Sequence, residues 1–335
     1  AHLGVLGVQI QGCWTLRNLA MDNSQIQTDI AMYGGVGAIV SAMQVHSGVP
    51  SLQKFACGAL WELSIDNDQN LTTIANGGGI ESILIAMKEH KENEGVQEKA
   101  CGALWNLAAD HVSNQDTITS LDGIKAILQA MKLHAEAATV QEHGCGALCN
   151  LAYNAESRRV ISQFAGEKTI IRTMENHRAV MSVQKNACGA LWNLARGDAN
   201  QNTIAESGGI EAIIGAVLGH TDAVGMLVMA CGALWNLASN NGRNQKRIVG
   251  GGGYDALRAA TELHPGQAVL QENALGALRS LGWRQDAREH TQSSSRSGNN
   301  GGGGEPGERT ATPTNRNFKR KSRNKHSSGM FMDVL

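Results

Sequence analysis

Cys101-Gly102-Ala103-Leu104-Trp105-Asn106-Leu107-Ala108 occurs three times in this chain, again from Cys188 and again from Cys231. Close variants begin at Cys57 (Cys-Gly-Ala-Leu-Trp-Glu-Leu-Ser), Cys145 (Cys-Gly-Ala-Leu-Cys-Asn-Leu-Ala) and Cys13 (Cys-Trp-Thr-Leu-Arg-Asn-Leu-Ala), and a decayed copy begins at Leu275. Successive copies are 44, 44, 44, 43, 43 and 44 residues apart. A fixed period of this size marks a stack of supersecondary units, each too small to bury its own apolar face and each completed by its neighbours.

Within one period the spacing predicts three helices. Asn114 to Leu121 is a short first helix, ended near Asp122-Gly123. Ile124 to His134 carries Ile124, Ile127, Leu128 and Met131 at i, i+3, i+4 and i+7, an amphipathic second helix. After a soft loop at Ala135 to Thr139, Val140 to Ala152 forms the third, with Val140, Gly144, Leu148 and Leu151 on one stripe. Glycine pairs such as Gly34-Gly35, Gly77-Gly78 and Gly208-Gly209 punctuate the first and second helices, where a positive φ stops a helix sharply. Pro50 and Pro265 fall before third helices, where they interrupt nothing. No segment alternates with period two, so no strands are expected.

A helical wheel at 100° per residue sorts the third helix. Ala100, Leu107 and Ala108 cluster about Leu104 as the buried stripe. Asn106 and Gly102 fall opposite, with Glu98 and Lys99, and Trp105 lies on the flank. The buried positions repeat almost unchanged along the chain, whereas the position two before the Cys does not: it reads Gln11, Phe55, Lys99, His143, Asn186, Met229 and Asn273. An Asn ladder (Asn18, Asn106, Asn150, Asn193, Asn236) is interrupted by Glu62 and Ser280. A Trp ladder (Trp61, Trp105, Trp192, Trp235) is replaced by Arg17 and Cys149 in two repeats. An Asn amide offers donors and acceptors together and is suited to holding an extended peptide backbone, or to bonding within its own repeat. Trp is a frequent hot-spot residue at interfaces and equally good core filling.

On these motifs, residues 1–283 resemble the armadillo-repeat family. The copy at Cys13 is similar to a β-catenin-type third helix, and the Cys-Gly-Ala-Leu-Trp-Asn-Leu copies to adenomatous-polyposis-coli-type and plakophilin-type arrays. The resemblance implies an all-α solenoid of about six to seven three-helix repeats of ~43–44 residues, the first one incomplete. It also implies a concave groove lined by third helices, in which Trp14, Arg17, Asn18, Trp61, Glu62, Lys99, Trp105, Asn106, His143, Asn150, Asn186, Trp192, Asn193, Trp235 and Asn236 meet a partner segment. Importin-α-type arrays pair the Asn with a Trp four residues earlier. Here only Trp14 and Asn18 show that pair, and Gly58, Gly102, Gly146, Gly189 and Gly232 fill the Trp position elsewhere.

Composition bounds the rest. The chain has 335 residues, 42% hydrophobic but only 4% aromatic, with a formal charge of −1, which speaks against a generally basic nucleic-acid binder. No apolar run reaches the ~18–20 residues of a membrane span, and no secretory leader is visible. Seven cysteines, an odd number, suggest reduced thiols and a cytoplasmic setting, with a nuclear one also open. Six His lie in phase with the repeat (His46, His90, His134, His177, His220, His264) and end the second helix, where the helix dipole favours them; one per repeat does not converge on a metal. No nucleotide-binding, nucleophile-elbow, zinc-protease or kinase motif is present, so no catalytic residue, cofactor or metal is expected.

After Trp283 the composition changes. Residues 284–335 carry ten basic and five acidic side chains, net +5, which leaves −6 on residues 1–283. Ser293 to Ser295 and Gly301 to Gly304 fall in this tail, and aliphatic residues are nearly absent until Met330. It is expected to be disordered. Its cluster Lys319, Arg320, Lys321, Arg323 and Lys325 has the composition of a nuclear-localisation signal, or of a basic ligand for the acidic array in cis. Residues 1–20 supply a third helix without its first two, so further repeats are expected upstream in a parent chain. The function expected is a non-catalytic scaffold or adaptor binding extended protein segments rich in basic residues, with no small-molecule substrate, nucleic acid or membrane insertion. The alternatives are an importin-α-like transport receptor and the recognition arm of a larger signalling enzyme.

Overall fold

Local signals start and stop the helices where the repeat phase puts them. The computed structural model describes residues 2–283; the tail, with the disorder and the basic cluster expected there, lies outside the described residues. A third helix, α1 (Leu6–Ala20), comes first. Three repeats follow: α2 (Ser24–Met32), α3 (Gly35–Val45) and α4 (Pro50–Leu63); α5 (Asp68–Asn76), α6 (Gly79–Glu89) and α7 (Glu94–Leu107); α8 (Val112–Ser120), α9 (Gly123–Leu133) and α10 (Ala138–Leu151). Then come α11 (Ala155–Gln163), α12 (Gly166–Asn176) and α13 (Met181–Leu194); α14 (Asp198–Glu206), α15 (Gly209–Gly219) and α16 (Val224–Ala238); α17 (Gly242–Gly250), α18 (Gly253–Leu263) and α19 (Ala268–Ser280). No strand occurs among the described residues. Pro50 is the first residue of α4, where its missing N–H costs nothing. The Oδ1 atoms of Asn23, Asn67, Asn93 and Asn241 accept from backbone N–H groups three residues on and cap α2, α5, α7 and α17.

The turn between first and second helices needs two different things of its residues. Gly78 has φ +77°, a left-handed conformation that costs an L-residue roughly 1–2 kcal/mol. Gly79 has ordinary φ but no room, because a Cβ there would stand 2.5 Å from Ile74 Cγ2. The pairs in this turn therefore divide the work between conformation and close approach. Asp122 (φ 60°) and Ala165 (φ 55°) occupy the left-handed position in two repeats. Ala165→Gly is expected to raise stability by about 1 kcal/mol, read from the urea midpoint; a lower midpoint would contradict the backbone-strain account.

The chain divides into two units between Val160 and Ile161. In the first, third helices pack on third helices (α1 on α4, α4 on α7, α7 on α10), second on second (α3, α6, α9) and first on first (α2, α5, α8). In the second unit α13, α16 and α19 pack in series, as do α12, α15 and α18. Each unit is thus an α-solenoid segment of three helix layers. Leu60, Leu104, Leu148, Leu191 and Leu234 are fully buried on the expected stripe. None of the seven cysteines is in a disulfide and all are buried, and burial pushes the thiols of Cys101 and Cys231 up to about 12.

Two side-chain ladders tie these layers. The in-phase His end the second helices as expected, and the rings of five of them also reach back one repeat. Nε2 of His46 lies 2.8 Å from Leu3 O, that of His90 2.6 Å from Ser47 O, and that of His134 2.8 Å from Lys91 O. In the second unit His220 meets Arg178 O and His264 meets Thr221 O in the same way. Gln53, Gln97, Gln141, Gln184 and Gln271 each donate from Nε2 to two carbonyls at the end of the preceding second helix; for Gln97 these are Met87 O at 3.0 Å and His90 O at 2.9 Å. Four of these Gln stand four residues before a Cys and Gln271 stands four before Leu275, a periodic signal that the sequence reading does not use.

Candidate functional site

The third-helix face is built from one register relation. Trp105 does not stand beside Asn106 as an open ligand platform. Its indole lies over Gly146 of α10, where a Cβ would be 2.5 Å from Cδ2 and Cε2 of the ring. Trp61 lies the same way over Gly102, Trp192 over Gly232 and Trp235 over Gly276. Each Trp therefore fills the side-chain space of the glycine one repeat on. Where Arg17 replaces Trp, its Cδ occupies this place, 3.1 Å from a Cβ at Gly58. Trp61, Trp105 and Trp192 are consequently buried, and Trp235 is half-buried. An importin-type Trp at position 102 would collide with Trp61.

The Asn ladder is committed too. Asn106, Asn150, Asn193 and Asn236 are all buried. Nδ2 of Asn150 donates to Trp105 O at 2.8 Å, that of Asn236 to Trp192 O at 3.0 Å and that of Asn106 to Trp61 O at 3.5 Å. The expectation that these amides point away from packed surface is corrected: those of Asn106, Asn150 and Asn236 cross to the third helix of the preceding repeat, and Asn193 is buried. The wheel placed them opposite Leu104 correctly but could not show that the neighbouring helix closes over that side. Asn150→Ala leaves the Trp105 carbonyl without this donor and is expected to cost about 1–3 kcal/mol, measured by urea denaturation. An unchanged midpoint would return the Asn to the list of free ligand groups.

Other expected groove residues separate into covered and open ones. Glu62 is 2% exposed, and its Oε1 lies 4.0 Å from Arg17 Nε. His143 and Asn186 are buried, against expectation for a reading surface. His143 stands edge-on to Trp61 with ring centroids 4.8 Å apart, and its Nδ1 is 3.0 Å from Glu98 O. Lys99 is half-buried, with Nζ 2.7 Å from Glu98 Oε1 and 5.0 Å from the centre of the Trp61 ring. Desolvation lowers its pKa, and the Glu98 carboxylate opposes that shift. Trp14 is exposed and Arg17 and Asn18 are half-buried. Phe55 and Met229, from the variable row, are half-buried. In the row two before the Cys, Gln11, Phe55, Lys99 and Met229 therefore both vary and reach the surface, whereas His143, Asn186 and Asn273 of the same row are covered.

Among the described residues no three His, Cys, Asp or Glu side chains gather as a metal site requires. No helix among them is long and apolar enough to cross a membrane.

Comparison with known proteins agrees with this geometry. The family described as Protein zer-1 homolog-like, C-terminal domain, matches residues 85–282, and the LRRK2 ARM repeat family matches residues 1–168. No curated protein matches the chain. An engineered protein from a structural-genomics programme is 26% identical with a TM-score of 0.69, over 80% of this chain and 63% of its own. This chain thus spans less than two thirds of that protein's length. The designed armadillo repeat protein YIII(Dq)4CqI shares the fold at 19% identity and TM-score 0.63, over 73% of this chain and 99% of its own. A second design, YIII(Dq.V1)4CPAF, solved in complex with the peptide (KR)4, does so at 18% and 0.61, again over 73% and 99%. With family models covering both halves of the repeat array and designed armadillo proteins sharing its fold, the chain belongs to the armadillo-repeat family.

Proposed function

We propose that this chain is a non-catalytic scaffold or adaptor that binds an extended protein segment across its third-helix face. The observation that carries this reading is the contrast between rows. The Trp, Gly, Asn and Gln positions are engaged by packing and by hydrogen bonds within and between repeats, while Gln11, Phe55, Lys99 and Met229 differ in size and charge and reach the surface. A frame held rigid in this way presents those exposed side chains to a segment at little ordering cost. The ligand proposed carries Lys or Arg, because residues 1–283 hold a net charge of −6. The designed relative with the (KR)4 peptide is consistent with that chemistry. The buried cysteines, none in a disulfide, are consistent with an intracellular setting.

Fluorescence anisotropy of a labelled (Lys-Arg)4 peptide tests this. Saturable binding that weakens as salt rises is expected. Lys99→Glu, which exchanges a cation for an anion on that face, is expected to tighten the peptide about three- to tenfold with circular dichroism unchanged. Equal affinity of the parent and Lys99→Glu, or binding insensitive to salt, would refute the basic-ligand preference. No binding of any extended segment would refute the scaffold reading.

A further inference from the structure

The first unit holds a second surface, between two of its second helices. Helices α6 and α9 leave a cavity of about 480 Å3 between them, inside the ~300–1,000 Å3 range of sites that bury ligand-sized groups. On α6, Glu81, Leu84, Ile85 and Lys88 recur at i, i+3, i+4 and i+7, so two aliphatic side chains stand between two charges along the cavity wall. Leu121, Ala126 and Ala130 complete an apolar floor from the other side. Ile85 is 47% exposed and Leu121 41%, so aliphatic surface stands open to water at the cavity. The rim carries Lys88, Lys91 and Lys125 against Glu81 and Asp122. The corresponding cavity of the second unit is about 700 Å3 and is charged instead: Glu175 and Arg178 line it, and Arg247 grips Glu211 through two bonds of 2.7 and 3.0 Å.

One segment of this chain has the matching composition. Between Arg284 and Gly329 the non-polar side chains, prolines aside, are Ala287, Ala311 and Phe318. Then Met330-Phe331-Met332-Asp333-Val334-Leu335 places five apolar residues around a single carboxylate. We propose that residues 330–335 dock in the α6–α9 cavity, their apolar side chains covering Ile85 and Leu121 and Asp333 meeting the lysine rim. The match is twofold. The segment is apolar where the cavity floor is apolar, and its one charge is opposite to the rim's excess. Water leaves Ile85, Leu121 and the segment's own side chains together, which drives the contact. Because the segment belongs to the same chain, docking in cis does not depend on protein concentration, whereas docking on a second copy does. This surface is lined chiefly by the second helices α6 and α9 and by none of the variable-row side chains proposed to meet partners.

The test is lysine acylation footprinting on the full chain, on the chain lacking residues 330–335, and on full-length Ile85→Asp and Asp333→Lys. Lys88, Lys91 and Lys125 are expected to acylate several-fold faster in the truncated chain and in Ile85→Asp, and faster in Asp333→Lys, while Lys168 and Lys246 keep their rates. A synthetic peptide spanning residues 326–335 added to the truncated chain is expected to restore protection. Ile85 is half exposed, so its substitution leaves the fold intact, checked by circular dichroism. Equal rates in full and truncated chains would overturn the proposal. Protection that grows with protein concentration would overturn docking in cis and assign the cavity to a second copy.

Discussion

Gly146→Ala is expected to lower stability by about 1–3 kcal/mol, while Gly58→Ala is expected to be neutral or to raise it by up to about 1 kcal/mol. The two substitutions are the same chemical change at the same register of a third helix, the residue after the Cys. Replacing Gly by Ala in a helix interior is worth about 1 kcal/mol in propensity at both sites. What differs is the neighbour. A Cβ at 146 would stand 2.5 Å from the Trp105 ring, a rigid indole already packed into the next helix. At 58 the nearest atom is Arg17 Cδ at 3.1 Å, on a flexible side chain that is half-buried and can swing aside. Urea midpoints of the two variants measured together isolate the Trp-on-Gly contact from propensity. Equal effects at the two sites would mean that the Trp rows are not what couples one repeat to the next.

Leu104→Ala is expected to cost roughly 2–5 kcal/mol, the range for emptying a fully buried leucine site, and to do so locally. In a repeat stack, stability is a sum of repeat and interface terms, so one cavity weakens the damaged repeat and its two neighbours first. The buried thiols report this repeat by repeat. Burial raises the pKa of Cys57 and Cys101, so the folded chain holds them as unreactive thiols. In Leu104→Ala the alkylation of Cys57, Cys101 and Cys145 is expected to accelerate ahead of that of Cys231. Uniform acceleration at all four would indicate a single cooperative unit and contradict the quasi-one-dimensional account.

The fold was legible because its signals are local and repeated. The third helix read as Val140 to Ala152 runs from Ala138 to Leu151, and the first helix read as Asn114 to Leu121 runs from Val112 to Ser120. Hydrophobic phase fixes such boundaries to within two residues. The third-helix face was less legible, because its burial is made by residues one period away. A wheel for Asn150 knows the axis of its own helix and not the carbonyl of Trp105, 45 positions earlier. For the same reason Gly146 reads as a gap where another array would carry Trp, although Trp105 already fills that space. The register itself held the clue: a Trp in one copy is followed by Gly three residues earlier in the phase of the next, at Trp61 and Gly102, Trp105 and Gly146, and Trp192 and Gly232. His143 and Glu62 were misjudged similarly, as variable positions taken to be open that packing covers.

The claim that matters most is that partner segments lie on the third-helix face and touch its variable row. Photo-crosslinking with a (Lys-Arg)4 peptide bearing a photoreactive group, followed by mapping of the adducts, tests it directly. The account predicts saturable labelling at third-helix residues within a unit, Phe55 and Lys99 in the first or Met229 in the second, lost on competition with unlabelled peptide. Adducts confined to the second helices α3, α6 and α9, or labelling that unlabelled peptide does not suppress, would contradict it.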